Sequence, residues 1–267
     1  MRAIALVAGA VFRESVRDRV PYSMVVFAVL LMAASYLISQ MTAGQDLKIV
    51  KDLGLAAIAI FGLLIAVFIG IGLVSKEVER KSIYGLLSKP ISRPQFILGK
   101  FAGLMLTLLV NIAAMSVAFY GVLWLMQLVN PGVELAARAP ATDPRLLIAI
   151  GLILVELAVV TALAVFFSTF SSPLLATLMT IGLWVAGHFN ADLRHFENVI
   201  DNDAIAWLAR VLYYVLPNLA PFDIKAEVVH GLPVTLRHVV LTVAYAVVYT
   251  GVLLTAAVAV FRRRDFK

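Results

Sequence analysis

Six mostly apolar runs, at about residues 21–39, 53–75, 101–129, 146–170, 174–191 and 239–261, decide most of what this chain can become. A helix needs about 20 mostly apolar residues to cross the hydrocarbon of a bilayer, and runs of this size meet that need. Backbone groups in hydrocarbon must all be paired internally, which leaves only helices or a closed barrel. Barrel strands would alternate apolar and polar residues in segments of about 10, and these runs do not alternate. The whole chain is 62% hydrophobic and 14% charged, well away from the roughly half and quarter of soluble domains. The expected fold is all-α: a polytopic integral membrane protein with six transmembrane helices in a single transmembrane domain over 1–267. The first run is long for a signal peptide, and the 20 residues before it look structured.

Charge orients the spans. Residues 1–20, 76–100 and 262–267 hold 14 Lys and Arg against five acids, whereas 40–52, 130–145 and 192–238 hold eight against ten. The positive-inside rule then places both termini and the 76–100 segment in the cytoplasm of a bacterial-type inner membrane. An even number of spans agrees. The pI near 9.7 is therefore a topology signal and an attraction to anionic lipid, with no nucleic-acid partner implied. The absence of cysteine excludes disulfides and thiolate chemistry.

Residues 2–19 read as an amphipathic helix on the cytoplasmic surface. Ile4, Val7, Ala8, Val11 and Phe12 share one face, and Arg13, Glu14, Arg17 and Asp18 the other. Gly62, Ala66, Gly70 and Gly72 give the second span small residues for close helix packing, and Gly99 with Gly103 repeats the pattern at the third. Ser168, Ser171, Ser172 and Pro173 form a tight turn between spans four and five, leaving little surface for a partner there. The outer 192–238 stretch carries a helical stripe of Ile205, Leu208, Val211, Leu212 and Val215 closed by Pro217, then the apolar stretch Val228–Leu236. Both read as interfacial or partly inserted elements.

The segment Lys76–Lys100 mixes six basic residues with Ile83, Leu86, Leu87, Ile91, Phe96 and Ile97. A plain connector needs no such apolar set. Glu77 and Glu79 precede Arg80 and Lys81, the stretch to Leu87 can be helical, Pro90 and Pro94 interrupt it, and Ser92 or Arg93 can start a new helix. The charges would steer a cytoplasmic partner, and Leu86, Leu87, Ile91 and Phe96 would fill its groove.

Chemistry is sparse. Gly99-Lys100 lacks the first glycine and the hydroxyl of a P-loop, and neither HExxH nor GxSxG occurs. No catalytic, metal-ligating or cofactor-binding residue is assigned. Glu156 is the one ionisable side chain well inside a span, where its cost makes it face the bundle interior. It could line a substrate path with Asn111, or hydrogen-bond to Asn111 or to hydroxyls such as that of Thr161. The histidines at 188, 195, 230 and 238 match no compact ligand spacing. Two alternatives remain: an intramembrane enzyme or cofactor-handling protein using Glu156 and those histidines, and a proton-coupled carrier. A carrier would show several intramembrane ionisable sites in paired halves.

Glu79-Arg80-Lys81-Ser82, Leu86-Leu87-Ser88-Lys89-Pro90-Ile91-Ser92-Arg93 and Gly99-Lys100 resemble the ABC-2 type permeases, especially the group associated with copper-enzyme maturation. Phe12–Asp18, Ser168 with Ser171-Ser172-Pro173, Leu216-Pro217-Asn218-Leu219 and Arg263-Arg264-Asp265-Phe266 are similar to the same group in chain order. The resemblance implies an exporter's membrane subunit, paired with a second permease subunit and driven by separate cytoplasmic ABC ATPases that carry ATP and Mg. It also implies that 76–100 is the coupling helix seated on that ATPase. The cargo is not implied.

Overall fold

A computed structural model describes residues 2–39, 46–79, 92–130, 132, 134, 140–189 and 216–263, with the backbone alone at 46, 73–79 and 263. Among the described residues eight α-helices run in order: α1 (Arg2–Arg17), α2 (Arg19–Ser39), α3 (Asp46–Glu79), α4 (Arg93–Val129), α5 (Arg145–Ser168), α6 (Pro173–His188), α7 (Lys225–Val229) and α8 (Leu236–Arg263), with a 3-10 turn at Ala220–Phe222. Five of them (α2, α3, α4, α5 and α8) are long and apolar enough to cross a membrane, and α6 is a shorter apolar helix. The chain is an all-α, multi-pass membrane protein.

Helix α4 begins at Arg93, well before the apolar run that starts at 101. Ser92 and Pro94 explain the start. The Gln95 side chain accepts the Ser92 backbone N–H (3.1 Å), and proline costs no hydrogen bond in a first turn. Its 37 residues make a rod of about 55 Å, longer than the hydrocarbon is thick.

The core centres on α5, whose residues are buried on nearly every side: Leu152, Ile153, Leu157, Val160, Leu163, Ala164 and Phe167 among them. Small residues of α3 admit it. A methyl on Gly62 would lie 2.6 Å from Leu157, and one on Gly70 3.3 Å from Ala164. The Gly/Ala pattern of the second span is thus a packing face for α5. Buried hydroxyls inside the spans donate to their own helices: Thr107 to Gly103, Thr161 to Leu157 and Thr180 to Ala176. That satisfies them without a partner helix.

Around this core α2, α4 and α8 turn large apolar side chains outward, among them Phe27, Leu30, Leu109, Val117, Val247 and Val248. Lipid is the natural solvent for such faces.

Helix α1 lies across one end of the bundle, against the start of α4. Its buried face is Val7, Val11 and Ser15, while Arg13, Glu14, Arg17 and Asp18 are exposed. The amphipathic reading of 2–19 therefore corresponds to a helix clamped to the bundle. At the far end, buried Lys51 donates to the Pro140 carbonyl (2.8 Å) and Tyr120 to that of Asp143 (3.0 Å). These bonds hold the α4–α5 connection against α3 and α4.

Candidate functional site

Two polar places stand out, one at the α1 end of the bundle and one midway along α5. At the α1 end, Arg93 reaches across to the last turn of α8. One guanidinium nitrogen donates to the carbonyls of Phe261 (3.2 Å) and Arg262 (2.7 Å). A helix ends with unpaired carbonyls and a partial negative charge, so an arginine there caps it. Phe96, one turn on, stacks on Phe261 with ring centroids 5.9 Å apart. The Lys100 ammonium sits 4.8 Å above the Phe96 ring and is buried, an arrangement that favours the cation.

Gly99 and Gly103 make the other half of this joint. A methyl on Gly99 would lie 2.6 Å from Val7 Cβ, and one on Gly103 2.7 Å from both the Ala8 carbonyl oxygen and Val11 Cβ. Helices α1 and α4 thus meet backbone to backbone. The glycine pair expected to bring membrane helices together serves the surface helix instead.

Several residues expected to meet a partner are therefore placed inside the subunit. Phe96, Gly99 and Lys100 are buried against α1 and α8, so Phe96 has no free face for a partner's groove. Ser92 is the N-cap of α4 and Arg93 its first residue. Glu77 and Glu79 lie in the last turns of α3. Arg80, Lys81, Leu86, Leu87, Pro90 and Ile91 lie outside the described residues, as does the stripe from Ile205 to Val215. Beside the α1–α2 corner a cleft of about 450 Å³ is lined by Glu14, Arg17 and Asp18 on one wall and by Phe68, Ile69 and Gly72 on the other.

The second polar place is built on Glu156, midway along α5. Its carboxylate accepts the Trp184 indole N–H (2.7 Å) and lies 3.5 Å from His188 Nε2. Both partners belong to α6. The hairpin register explains why. Glu156 is 12 residues before Ser168 and Trp184 is 11 after Pro173, so a tight turn brings the two to one height at 1.5 Å per residue. Counting outward from the Ser-Pro turn finds this pair in the sequence. Asn111 instead donates to Thr107 of its own helix, and Thr161 to Leu157. The expected partners of Glu156 are thus replaced by a tryptophan and a histidine, which an acid in this position needs as donors.

Helix α6 stops at His188, one turn beyond Trp184, and the chain from Pro217 to Val229 fills the space above it. Leu219 N–H donates to the Gly187 carbonyl (3.0 Å), Asn218 N–H to the Tyr245 hydroxyl (2.9 Å), and the His238 ring nitrogen Nε2 lies 2.8 Å from the Pro221 carbonyl. Tyr245 is nine residues into α8, so the turn lies about 13 Å below that helix's far end. Non-helical backbone is tolerated at such depth only when protein pairs it, and these bonds do so. Gly187 is required for the approach, since a methyl there would lie 2.8 Å from the Pro217 carbonyl. The segment leaves through α7 and Gly231, whose φ of 73° closes a helix-ending turn: Leu232 N–H reaches Glu227 and Gly231 N–H reaches Val228. The apolar stretch after 228 accordingly begins inside the protein, with Val228 and Val229 buried.

A cleft of about 510 Å³ opens beside this turn, lined by Asp52, Leu53, His188, Asp223, Lys225 and Glu227. Lys225 pairs with Asp223 at 3.4 Å. Among the described residues no group of three His, Asp or Glu side chains is arranged to hold a metal ion. His230 lies beyond α7, and His195 lies outside the described residues.

Glu156 should therefore matter first as an acceptor. Glu156→Ala leaves the half-buried Trp184 N–H without one and should cost about 1–3 kcal/mol, whereas Glu156→Gln should stay near the parent. Thermal unfolding in detergent, followed by size-exclusion chromatography, measures both.

Compared with known protein families, residues 5–266 match the family described as ABC-2 family transporter protein. No curated protein matches the chain.

Proposed function

The chain belongs to the ABC-2 family of transporter proteins and is a permease-type transport subunit; from that premise we propose that it serves an exporter powered by a separate cytoplasmic ATPase. The drive enters through residues 76–100, with both termini on the same, cytoplasmic face of a bacterial-type inner membrane. Two such permease subunits, identical or paired with a relative, frame the path. ATP and Mg are held by the ATPase, because this chain carries no P-loop.

The joint at Arg93 carries the reading. The segment 80–91 leaves α3 and returns into a helix whose first turns are fixed to two others: to α8 by Arg93 and Phe96, and to α1 by Gly99 and Gly103. A push on the segment is therefore delivered to three helices at once, where a loose loop would absorb it. Packed elements of this kind switch between discrete arrangements rather than bending continuously. The surplus of basic residues on these same segments supports their cytoplasmic placement. Glu156 would border the path below the far-end cleft, with Asn111 at a similar height on α4.

The first test is co-purification. A P-loop ATPase encoded beside this chain should be retained on the tagged permease in mild detergent. Free ATPase and an unaccompanied permease after co-expression would contradict the assignment.

A further inference from the structure

The contact between Glu156 and His188 requires a proton, and that requirement ties the pair to the re-entering turn above it. His188 Nδ1 lies 3.1 Å from the Trp184 carbonyl oxygen. A carbonyl only accepts, so Nδ1 carries its hydrogen. The other nitrogen, Nε2, then faces Glu156 Oε1 at 3.5 Å. With neither group protonated there, a lone pair would face a carboxylate that already accepts the Trp184 N–H at 2.7 Å. One proton between Nε2 and Oε1 turns that repulsion into attraction, whichever atom holds it.

The place of the pair gives the proton something to control. His188 is the last residue of α6, next to Gly187, whose carbonyl holds Leu219 of the turn. Leu219 and Phe222 are buried with Val159 of α5 and Ala246 of α8, beside Trp184 and Tyr245. His188 also lines the cleft, which gives water a route to its ring, while Glu156 behind it is buried.

We infer that Glu156 and His188 form a one-proton latch: protonated, it holds the end of α6 and the turn 217–222 against α5 and α8, and deprotonated, it lets them go. Other groups near the pair set its pH window. Asp223 and Lys225, in the chain after the turn, line the same cleft as His188. Asp52 of α3 and Glu227 of α7 line the cleft, and Tyr245 and Tyr249 of α8 pack on the same buried cluster as Trp184. The titratable residues of α4, Arg93, Lys100 and Tyr120, lie nearer its two ends. The closed form binds the proton that the open form releases, so closure is favoured at low pH and lost as pH rises. The latch is a property of this chain and stands whether or not the exporter reading holds.

A single cysteine reports on it, because the natural chain has none. Ala246→Cys places a thiol under the turn. The full chain in lipid nanodiscs is labelled with a small water-soluble maleimide across a pH series, each rate normalised to the same cysteine in the detergent-unfolded chain. The normalised rate should rise with pH, by up to about tenfold per pH unit where one proton is released. Adding Glu156→Gln supplies a permanent N–H toward Nε2, so labelling should be slow at every pH. A pH-independent rate in the Ala246→Cys parent, an unchanged slope with Glu156→Gln, or fast labelling of that variant throughout overturns the latch.

Discussion

Gly103→Val should lift α1 off the bundle. The new side chain would meet the Ala8 carbonyl and Val11 Cβ at 2.7 Å, and a helix backbone cannot rotate out of the way as a side chain can. Overpacking alone costs about 1–3 kcal/mol. Helix α1 must also retreat, uncovering Val7 and Val11, which are 8% and 5% exposed in the closed joint. Each valine contributes up to about 1.5 kcal/mol when fully buried, so a total near 3 kcal/mol or more is expected. A Val11→Cys reporter makes this visible: water-soluble maleimide should label it slowly in the parent and rapidly with Gly103→Val. Gly121→Val, where a methyl meets nothing within 4 Å, should leave the reporter slow.

Arg93→Glu should fray the last turn of α8. The change removes the donor shared by the Phe261 and Arg262 carbonyls and sets a carboxylate against a helix end that already carries partial negative charge. The lost charge-assisted bonds and the reversed helix-end interaction together amount to about 2 kcal/mol for this half-exposed site. Hydrogen exchange over 255–263 should then quicken by about 30-fold, the ratio that 2 kcal/mol of local opening gives. Arg93→Lys should fall between, since an ammonium keeps the charge without the fork geometry. Unchanged exchange with Arg93→Glu would remove the cap from the account.

The spans were legible because hydrophobic length is a local property that tertiary packing cannot hide. The surface helix was legible for the same reason: Val7 and Val11 recur one turn apart opposite Arg13, Glu14 and Arg17. The start of α4 was legible at Ser92 and Arg93, because a helix's first turn has hydrogen-bonding needs confined to a few residues; the part of Gln95 was not read. Partners across the fold were harder to see. Asn111 looked like a mate for Glu156 because both are polar and lie inside spans, yet an amide in a helix can satisfy itself on the carbonyl four residues back. Trp184 was missed because an indole among apolar residues reads as bulk, and its single N–H shows only when the hairpin register is counted. Phe96 read as a docking side chain because sequence does not reveal that Phe261, 165 positions on, stacks against it. The turn at Pro217 was expected only as the close of an interfacial or partly inserted stripe, whose residues 205–215 lie outside the described residues. Its depth depends on Tyr245 and Gly187, which belong to other elements.

The central claim is that force from an ATPase enters through the 76–100 segment, and one rate measures it. The partner ATPase should hydrolyse ATP faster when assembled with this permease in nanodiscs than when alone. Leu87→Glu, which replaces an expected docking side chain with a charge, should abolish that stimulation while the variant still inserts and keeps α1 closed by the Val11→Cys reporter. Stimulation by Leu87→Glu equal to that of the unaltered chain would contradict the account.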